Sequence, residues 1–196
     1  MNHKQDYRII GQLFDTYWLI EFEDSFYMMD QHAAHEKILY ERLMKQFHEK
    51  TYHSQMIMPP VILTLSLREE QILKENWKTF TALGYEIEEF GGKEYKVTGL
   101  PAELPTVIDC KQLLIELIDT IADESATHDP ERITEKVASM SCKAAVKGNN
   151  RLSFKEAEEL MRELMEAENP YNCPHGRPTL IKMTKYEIER KFKRIL

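Results

Sequence analysis

The sequence predicts an α+β protein in which antiparallel strands and amphipathic helices occur in separate blocks. Short apolar and aromatic runs, bounded by turn residues, occupy the first 30 residues and return in the middle of the chain. Longer stretches with apolar residues at helical spacing lie between and after these runs. A length of 196 residues with 42% hydrophobic content suffices for one sizeable core or two small ones.

The chain begins with three expected strands, at residues 8–13, 17–23 and 25–29, separated by Asp-Thr and Glu-Asp turn signals. A helix is expected at residues 32–47, where apolar residues recur every three or four positions. Asp30 therefore ends a strand just before a helix opens. Such junctions are favoured places for functional sites, because the rigid elements on either side fix the geometry.

The middle of the chain predicts a separate α+β unit. Two successive prolines, Pro59 and Pro60, block regular pairing, so residues 55–60 are expected to form a loop or an edge segment. Beyond them we expect a strand at 61–67, a helix at 68–83 that Gly84 ends, a hairpin at 85–100 with its turn at Gly91-Gly92, and a helix at 110–121.

The last third of the chain predicts two further helices and a basic tail. The acidic, polar residues 123–130 are typical of a linker, and helices are expected at 131–146 and 153–168. Ser153 and Glu156 have the spacing of a capping box. The tail passes through Cys-Pro-His-Gly-Arg-Pro and ends in a short apolar run and a basic amphipathic helix.

Composition narrows the class of protein. A net charge of -7 and a pI near 5.6 argue against binding of nucleic acid through an overall positive field. No stretch approaches the roughly 20 consecutive apolar residues of a membrane span, and the polar start lacks the apolar core of a signal peptide. We therefore expect a soluble, intracellular protein. Its three cysteines are an odd number, lie far apart in sequence, and are expected to be reduced thiols.

Polar residues at the first strand-to-helix junction have the spacing of metal ligands. Positions four apart lie on one face of a helix, so His32 and Glu36 can point at a common ion while Asp30 reaches it from the strand end. His35 is the weaker member of this group. The alternative is a plain helix N-terminus, with Asp30 as the cap and the histidines in solvent. The spacing is neither the His-Glu-x-x-His order of metalloproteases nor its inversion.

A second group of candidate ligands lies in the tail. Cys173 and His175 offer a thiolate and an imidazole two residues apart, in a segment with too many turn formers for a helix or a central strand. The alternative is a buried structural cysteine beside a solvated histidine. Arg177 adds a fixed positive charge that can hold a phosphate oxygen or a carboxylate. Its alternative role is a salt bridge to Asp30 or Glu41.

Together these segments supply five candidate donors, more than one tetrahedral ion needs. The mixed oxygen, nitrogen and sulfur set suits Zn²⁺ and accepts Mn²⁺ at its oxygen-rich side. A two-ion site, with one structural or regulatory Zn²⁺ and one catalytic ion, would use all five and would suit phosphodiester cleavage. Cys142, next to Lys143, is a further candidate ligand, and its alternative is a small buried residue on a helix.

These residues carry a resemblance to a known family. Asp30-Gln31-His32-Ala33, followed by Glu36 and Glu41, resembles the Asp-Gln-His-Ala-x-x-Glu-x-x-x-x-Glu signature of the C-terminal endonuclease domain of MutL mismatch-repair proteins. The segment from Cys173 to Pro178 is similar to that family's second motif, and Phe192-Lys193-Arg194 to its terminal Phe-x-Arg. The family's Ala-Cys-Arg element stands here as Ser141-Cys142-Lys143, a departure in two of three positions.

The resemblance implies a metal-dependent nicking endonuclease that also holds a homodimer together. It implies a dimerisation subdomain built from both chain ends, residues 1–60 and 124–196, and an inserted external α/β subdomain at 61–123. The implied catalytic residues are Asp30, His32, Glu36 and Arg177, and the implied metal ligands are Asp30, His32, Glu36, Cys173 and His175. The implied cofactors are Zn²⁺, structural or regulatory, and Mn²⁺, for catalytic activation.

The same resemblance implies partners and a location. The chain alone would bind duplex DNA weakly. The full-length protein would bind the mismatch-recognition protein MutS. No membrane partner is implied. The implied location is the bacterial cytoplasm, with association with the nucleoid during repair.

The pentapeptide Gln55-Met56-Ile57-Met58-Pro59 resembles the short Gln-x-x-hydrophobic-Pro peptides that dock on the bacterial sliding β-clamp. In that binding mode the glutamine fills a polar pocket of the clamp and the apolar residues fill an apolar pocket. The alternative is a loop whose apolar side chains pack on the neighbouring domain.

Two interpretations compete with the endonuclease. One is a non-catalytic dimerisation and clamp-binding module with a structural zinc, against which the carboxylates of Asp30 and Glu36 argue, because inert zinc sites favour Cys and His ligands. The other is an unrelated metal hydrolase acting on a small substrate. The basic end at residues 182–194 is expected either to touch DNA backbone or to be a solvated helix face.

Overall fold

The computed structural model describes residues 7–105, 108–124, 130–146 and 151–195. It confirms the predicted α+β class. In chain order its elements are β1 (Arg8–Leu13), β2 (Tyr17–Phe22), β3 (Ser25–Asp30), α1 (Gln31–Glu49), β4 (Ser54–Thr64), α2 (Leu67–Glu75), α3 (Trp77–Ala82), β5 (Glu86–Gly91), β6 (Glu94–Pro101), α4 (Cys110–Glu124), α5 (Pro130–Val146), α6 (Phe154–Glu166), β7 (Leu180–Thr184) and α7 (Lys185–Lys191).

Backbone contacts divide the chain into two compact units. Unit 1 comprises residues 1–38 and 148–196, and unit 2 comprises residues 39–147. The predicted subdomain boundaries, after residue 60 and before residue 124, both lie inside unit 2. The physical reason is that β4 pairs along much of its length with β6, and that α5 packs on α3 and α4. Of the predicted linker, residues 125–129 lie outside the described part of the chain.

Unit 1 is built on an antiparallel sheet in the order β1-β2-β3-β7. Because strand side chains alternate between faces, Trp18, Ile20 and Met29 lie on the same side of it, and each is at most 1% exposed. They form one core with Leu180 and with the apolar face of α6. The predicted capping box is confirmed at the start of α6, where Ser153 and Glu156 bond each other's backbone amides.

Unit 2 contains the sheet β4-β6-β5, together with α2, α3, α4, α5 and the second half of α1. Tyr85, Tyr95, Leu63 and Leu114 are fully buried in its core. The two tyrosines keep their hydroxyls bonded: Tyr85 shares a 2.6 Å hydrogen bond with the Ser141 hydroxyl, and Tyr95 donates to Glu70 at 3.0 Å. Satisfied hydroxyls allow such large rings to be buried at little cost.

One local prediction for unit 2 needs correction, and a second is confirmed in one of its two alternatives. The single helix expected at 68–83 is two helices, because the Asn76 side chain donates to the Ile72 carbonyl and its backbone leaves the helical conformation. Of the loop or edge segment expected at 55–60, the edge segment is confirmed, because these residues lie within the edge strand β4. Its two prolines fall where the pairing with β6 shifts register, between Met56 and Val61, so their missing N–H groups cost no ladder bond.

None of the described helices has the length and hydropathy needed to cross a bilayer.

Candidate metal centre

The junction between β3 and α1 is fixed by hydrogen bonds. Asp30 Oδ1 accepts from the backbone N–H groups of His32 at 2.9 Å and Ala33 at 3.1 Å, which are among the groups that the first helical turn leaves without partners. Gln31, only 2% exposed, accepts a hydrogen bond at 3.1 Å from the buried indole N–H of Trp18. The start of α1 is thus anchored to the sheet of unit 1.

This anchoring places Glu36 in the interior of unit 1, where its residue is 4% exposed. A buried carboxylate needs partners of opposite charge or hydrogen-bond donors. Glu36 has both on one oxygen, Oε2, which lies 2.5 Å from Nη2 of Arg177 and 3.2 Å from Nδ1 of His175. Both partners come from the tail, about 140 positions along the chain, as the separations of 139 and 141 residues show.

The tail segment is a tight turn closed by its own backbone. The N–H of Cys173 donates to the carbonyl of Arg177, and the N–H of Gly176 donates to the carbonyl of Cys173, each at 2.9 Å. Gly176 has φ +75, a left-handed conformation that a side chain would strain. The Asp30 N–H donates to the Thr179 carbonyl at 2.9 Å, which ties this turn to the β3–α1 junction.

The turn and the helix together make a cluster of three metal-ligating side chains. Ligand atoms of Glu36, Cys173 and His175 all lie within 4.8 Å of one another, the single such group found among the described residues. One carboxylate, one thiol and one imidazole are the donor types that Zn²⁺ takes in proteins, and three protein ligands leave a fourth position open. The donor set therefore fits a zinc ion with one site left for water or substrate.

Arg177 completes the electrostatics of this cluster. Its hydrogen bond and ion pair with Glu36 raise the pKa of the guanidinium, against a lowering by partial burial, and a bond with Cys173 adds to the rise. The Arg177 side chain is 49% exposed while that of Glu36 is 5% exposed. One edge of the guanidinium thus faces the cluster and the rest remains accessible to an anionic ligand.

Asp30 and His32 stand apart from the three-donor cluster. One Asp30 oxygen is used by the two helix amides, and Nδ1 of His32 lies 3.9 Å from that same oxygen. Their side chains keep 26% and 29% exposure, so both reach solvent. The structure thus gives Asp30 the capping role considered as an alternative and leaves its second oxygen for other ligands. His35 is half-buried on the same helix.

The remaining candidate ligand, Cys142, lies in unit 2. It is 0% exposed and belongs to that unit's apolar core, as its alternative role required. Its neighbour Ser141 shares the buried hydrogen bond with Tyr85, and Ser141 also donates to the Val137 carbonyl at 2.6 Å. Glu41 is half-buried in the part of α1 that belongs to unit 2. Sequence spacing did not predict the buried hydrogen bond between Trp18 and Gln31. The signal that could have indicated it is Gln31 itself, a polar residue at a buried position of the helix.

The five residues of the clamp-like peptide lie on β4. Met56 and Met58 are 76% and 82% exposed, whereas Ile57 packs against the core of unit 2. The Gln55 amide donates to the carbonyl of Pro101 at 3.0 Å and also to that of Leu104. A groove of about 450 Å³ runs beside the peptide and is lined from the other side by Leu100 and residues 108–111. The two methionine side chains are therefore accessible, whereas Ile57 and the glutamine are held within the unit.

Comparison with known proteins shows which family the chain resembles. Residues 10–152 match a family model described as the MutL C terminal dimerisation domain. The chain is 54% identical over 193 residues to the DNA mismatch repair protein MutL of Agathobacter rectalis, covering 98% of this chain and 30% of that protein. It is 40% identical over 190 residues to the protein of the same name from Caldanaerobacter subterraneus, covering 97% of this chain and 32% of that protein. The chain thus spans less than a third of the length of these two relatives.

Proposed function

Because this chain belongs to the family of MutL C-terminal dimerisation domains, we propose that it is a metal-dependent endonuclease domain that nicks duplex DNA in mismatch repair. The observation that carries the proposal is the convergence of Glu36, Cys173 and His175 within 4.8 Å, beside the accessible guanidinium of Arg177. Hydrolysis of a phosphodiester at a metal centre would produce a nick without a covalent intermediate on the protein.

The metal assignment follows from the donor chemistry. Cys173 and His175 are soft and borderline ligands that favour Zn²⁺, and we propose Zn²⁺ as the structural or regulatory ion. Asp30 and Glu36 offer the hard oxygens that Mn²⁺ prefers, and we propose Mn²⁺ as the activating ion, with His32 as a further ligand. A bound divalent ion would supply Lewis acidity and would lower the pKa of a water molecule on it.

The protein's own residues would prepare this chemistry in three ways. The turn at residues 173–178 is closed by two backbone hydrogen bonds, so the thiol of Cys173 and the imidazole of His175 are held in place before any ligand binds. Glu36 is anchored by burial and contributes the negative charge that a cation requires. Arg177 presents N–H groups that can hold a phosphate oxygen as negative charge develops on it.

The homodimer is supported by the family and by one surface of unit 1. On the sheet face opposite to the core, Phe26 lies across from Met183, and Met28 lies between Leu19 and Ile181 on the two neighbouring strands. Ile10 lies where the pairing of β1 with β2 shifts register. Ile10 and Ile181 are 51% and 56% exposed. A two-sided apolar sheet with one uncovered face is typical of an interface, so we propose that two copies pair through this face.

We also propose that the peptide at residues 55–59 docks on the sliding β-clamp. The exposed side chains of Met56 and Met58, next to Pro59, would enter the apolar pocket. Insertion of Gln55 into a polar pocket of the clamp requires its bonds to the Pro101 and Leu104 carbonyls to be exchanged for bonds to the partner. That exchange predicts weak binding. Contact with MutS and a cytoplasmic, nucleoid-associated location are further proposals that rest on the family alone.

The test is nicking of supercoiled plasmid in Mn²⁺, with and without a bacterial sliding clamp. The Glu36→Gln variant should lose nicking, because it removes the charge that holds a cation, and Glu94→Gln, at an exposed hairpin position, should keep it. Metal content and sedimentation of both variants are measured in parallel. If the protein binds zinc and dimerises but does not nick under any condition, the chain is a non-catalytic dimerisation module with a structural zinc.

A further inference from the structure

The C-terminal basic segment consists of Lys182, Lys185, Arg190, Lys191, Lys193 and Arg194. It concentrates six basic and two acidic residues in positions 182–194 of a chain whose net charge is -7. Such a reversal of local charge within an acidic protein is the electrostatic signature of an anion-binding surface. The question is whether local carboxylates neutralise it.

Little local neutralisation occurs. All six basic residues are exposed, and within the described part of the chain none of them has a carboxylate at ion-pair distance. Glu187 interacts with Lys191 and Lys182 only over a longer range. The carboxylate of Glu187 is turned back into the helix cap, where it accepts from the N–H and the hydroxyl of Thr184, both at 2.7 Å. Unpaired guanidinium and ammonium groups are free to release counterions to a polyanion.

The helix that carries three of these six charges is not held by core packing. α7 has no buried residue, and Tyr186 and Phe192 are 56% and 73% exposed beside the basic side chains. A surface helix with cations and uncovered aromatic rings is typical of nucleic-acid contact rather than of structural support.

β7 connects this segment to the candidate metal centre. The Thr179 carbonyl bonds the N–H of Asp30 at one end of β7, and α7 begins directly at its other end. Five strand residues span about 17 Å, which is about five base-pair steps of duplex DNA. Lys182 lies midway, 5.6 Å above the Tyr27 ring, so positive charge runs from Arg177 along β7 to α7.

The apolar sheet face that we propose for dimerisation is not the face of β7 that carries Lys182. Lys182 is the cross-strand partner of Tyr27, which packs against the core of unit 1. Ile181 and Met183 flank it in sequence and therefore point to the opposite face of the sheet. Lys182 therefore lies on the face of β7 opposite to the apolar side chains of Ile181 and Met183.

We propose that the C-terminal basic segment binds the phosphate backbone of duplex DNA and aligns it along β7 with the candidate metal centre. The inference rests on the proposed function for the identity of its ligand. It does not depend on cleavage, because phosphate contacts are measured in the absence of metal and of nicking.

The experiment measures binding of the full 196-residue chain to a fluorescent DNA duplex in EDTA, over a series of salt concentrations. One variant, called the α7 variant, carries Lys185→Gln, Arg190→Gln and Lys191→Gln in α7 and Arg194→Gln just after it. The control carries Lys50→Gln, Lys78→Gln, Lys93→Gln and Lys111→Gln, four exposed lysines of unit 2, so both lose the same charge. Each phosphate contact contributes about 0.9 to the slope of log affinity against log salt, so the α7 variant should lose about 3 to 4 from the slope.

The expected result is a lower slope and an affinity at low salt reduced more than about tenfold in the α7 variant alone. Equal slopes in the two variants would overturn the proposal, and so would loss of dimerisation by the α7 variant with its salt slope unchanged, which would assign the segment to a second copy. Glu94→Gln, at an exposed hairpin position of unit 2, should bind DNA as the wild type does. If DNA binding follows this pattern while the wild type never nicks, the proposed function fails and the basic segment remains a DNA contact.

Discussion

The ion pair between Glu36 and Arg177 predicts a measurable coupling in the stability of unit 1. A hydrogen bond to a charged group contributes about 1.5–3 kcal/mol when buried, and an exposed ion pair about 0–1 kcal/mol. Here the Glu36 side chain is 5% exposed and that of Arg177 is 49% exposed, so the pair lies between these cases. We expect a coupling free energy of about 1–2 kcal/mol in a cycle of Glu36→Gln, Arg177→Gln and the double variant.

The two tryptophans make this assay specific for one unit. Trp18 lies in the core of unit 1 and Trp77 lies in unit 2, so a Trp77→Phe background leaves Trp18 to report unfolding of unit 1 by urea. The cycle is measured in EDTA and repeated with Zn²⁺. An ion that binds only the folded state at 100 times its Kd stabilises it by about 2.7 kcal/mol.

Two results would refute this reasoning. A coupling indistinguishable from zero in EDTA would mean that the ion pair contributes nothing to the fold. Equal stabilisation of wild type and Glu36→Gln by Zn²⁺ would mean that Glu36 is not part of the metal centre. The expected pattern is stabilisation of the wild type and little or none of the Glu36→Gln variant, since that change removes one of three donors.

Three further predictions concern the interface, the core and pH. Ile181→Asp places a charge on the apolar sheet face and should shift sedimentation from dimer to monomer without changing the circular dichroism. Leu164→Ala, at a 0% exposed position, should cost about 2–5 kcal/mol by urea unfolding, whereas Leu67→Ala, 72% exposed, should cost about 0.5 kcal/mol or less. Burial raises the pKa of Cys110 from 9.0 to about 11 and that of Tyr40 from 10.0 to about 12. Because both groups ionise first in the unfolded chain, their contribution to stability should be constant below pH 9 and fall between about pH 9 and 12, and Cys110→Ala should remove the early part of that fall.

The sequence by itself determined the features that depend on local spacing. Alternation and helical periodicity predicted the α+β class and the positions of the first three strands and of α1, α4, α5 and α6 to within a few residues. The Ser153–Glu156 capping box was predicted from two residues alone, because both its hydrogen bonds close within one helical turn. The two motifs that contain candidate metal ligands, at residues 30–36 and 173–178, were also recognised from residue spacing.

Tertiary structure alone decided which of these residues converge. Glu36 and His175 are 139 positions apart, and only the anchoring of α1 and the closed turn at residues 173–178 bring them to 3.2 Å. Tertiary structure also makes Asp30 a helix cap, because the backbone amides of His32 and Ala33 have no partner within the helix and both donate to its Oδ1. Sequence spacing also could not decide whether Cys142 is buried, or that the Gln55 amide bonds to a carbonyl at the end of a distant strand. Periodicity records which face a side chain occupies, whereas the identity of its partner depends on how distant segments pack and satisfy their polar groups.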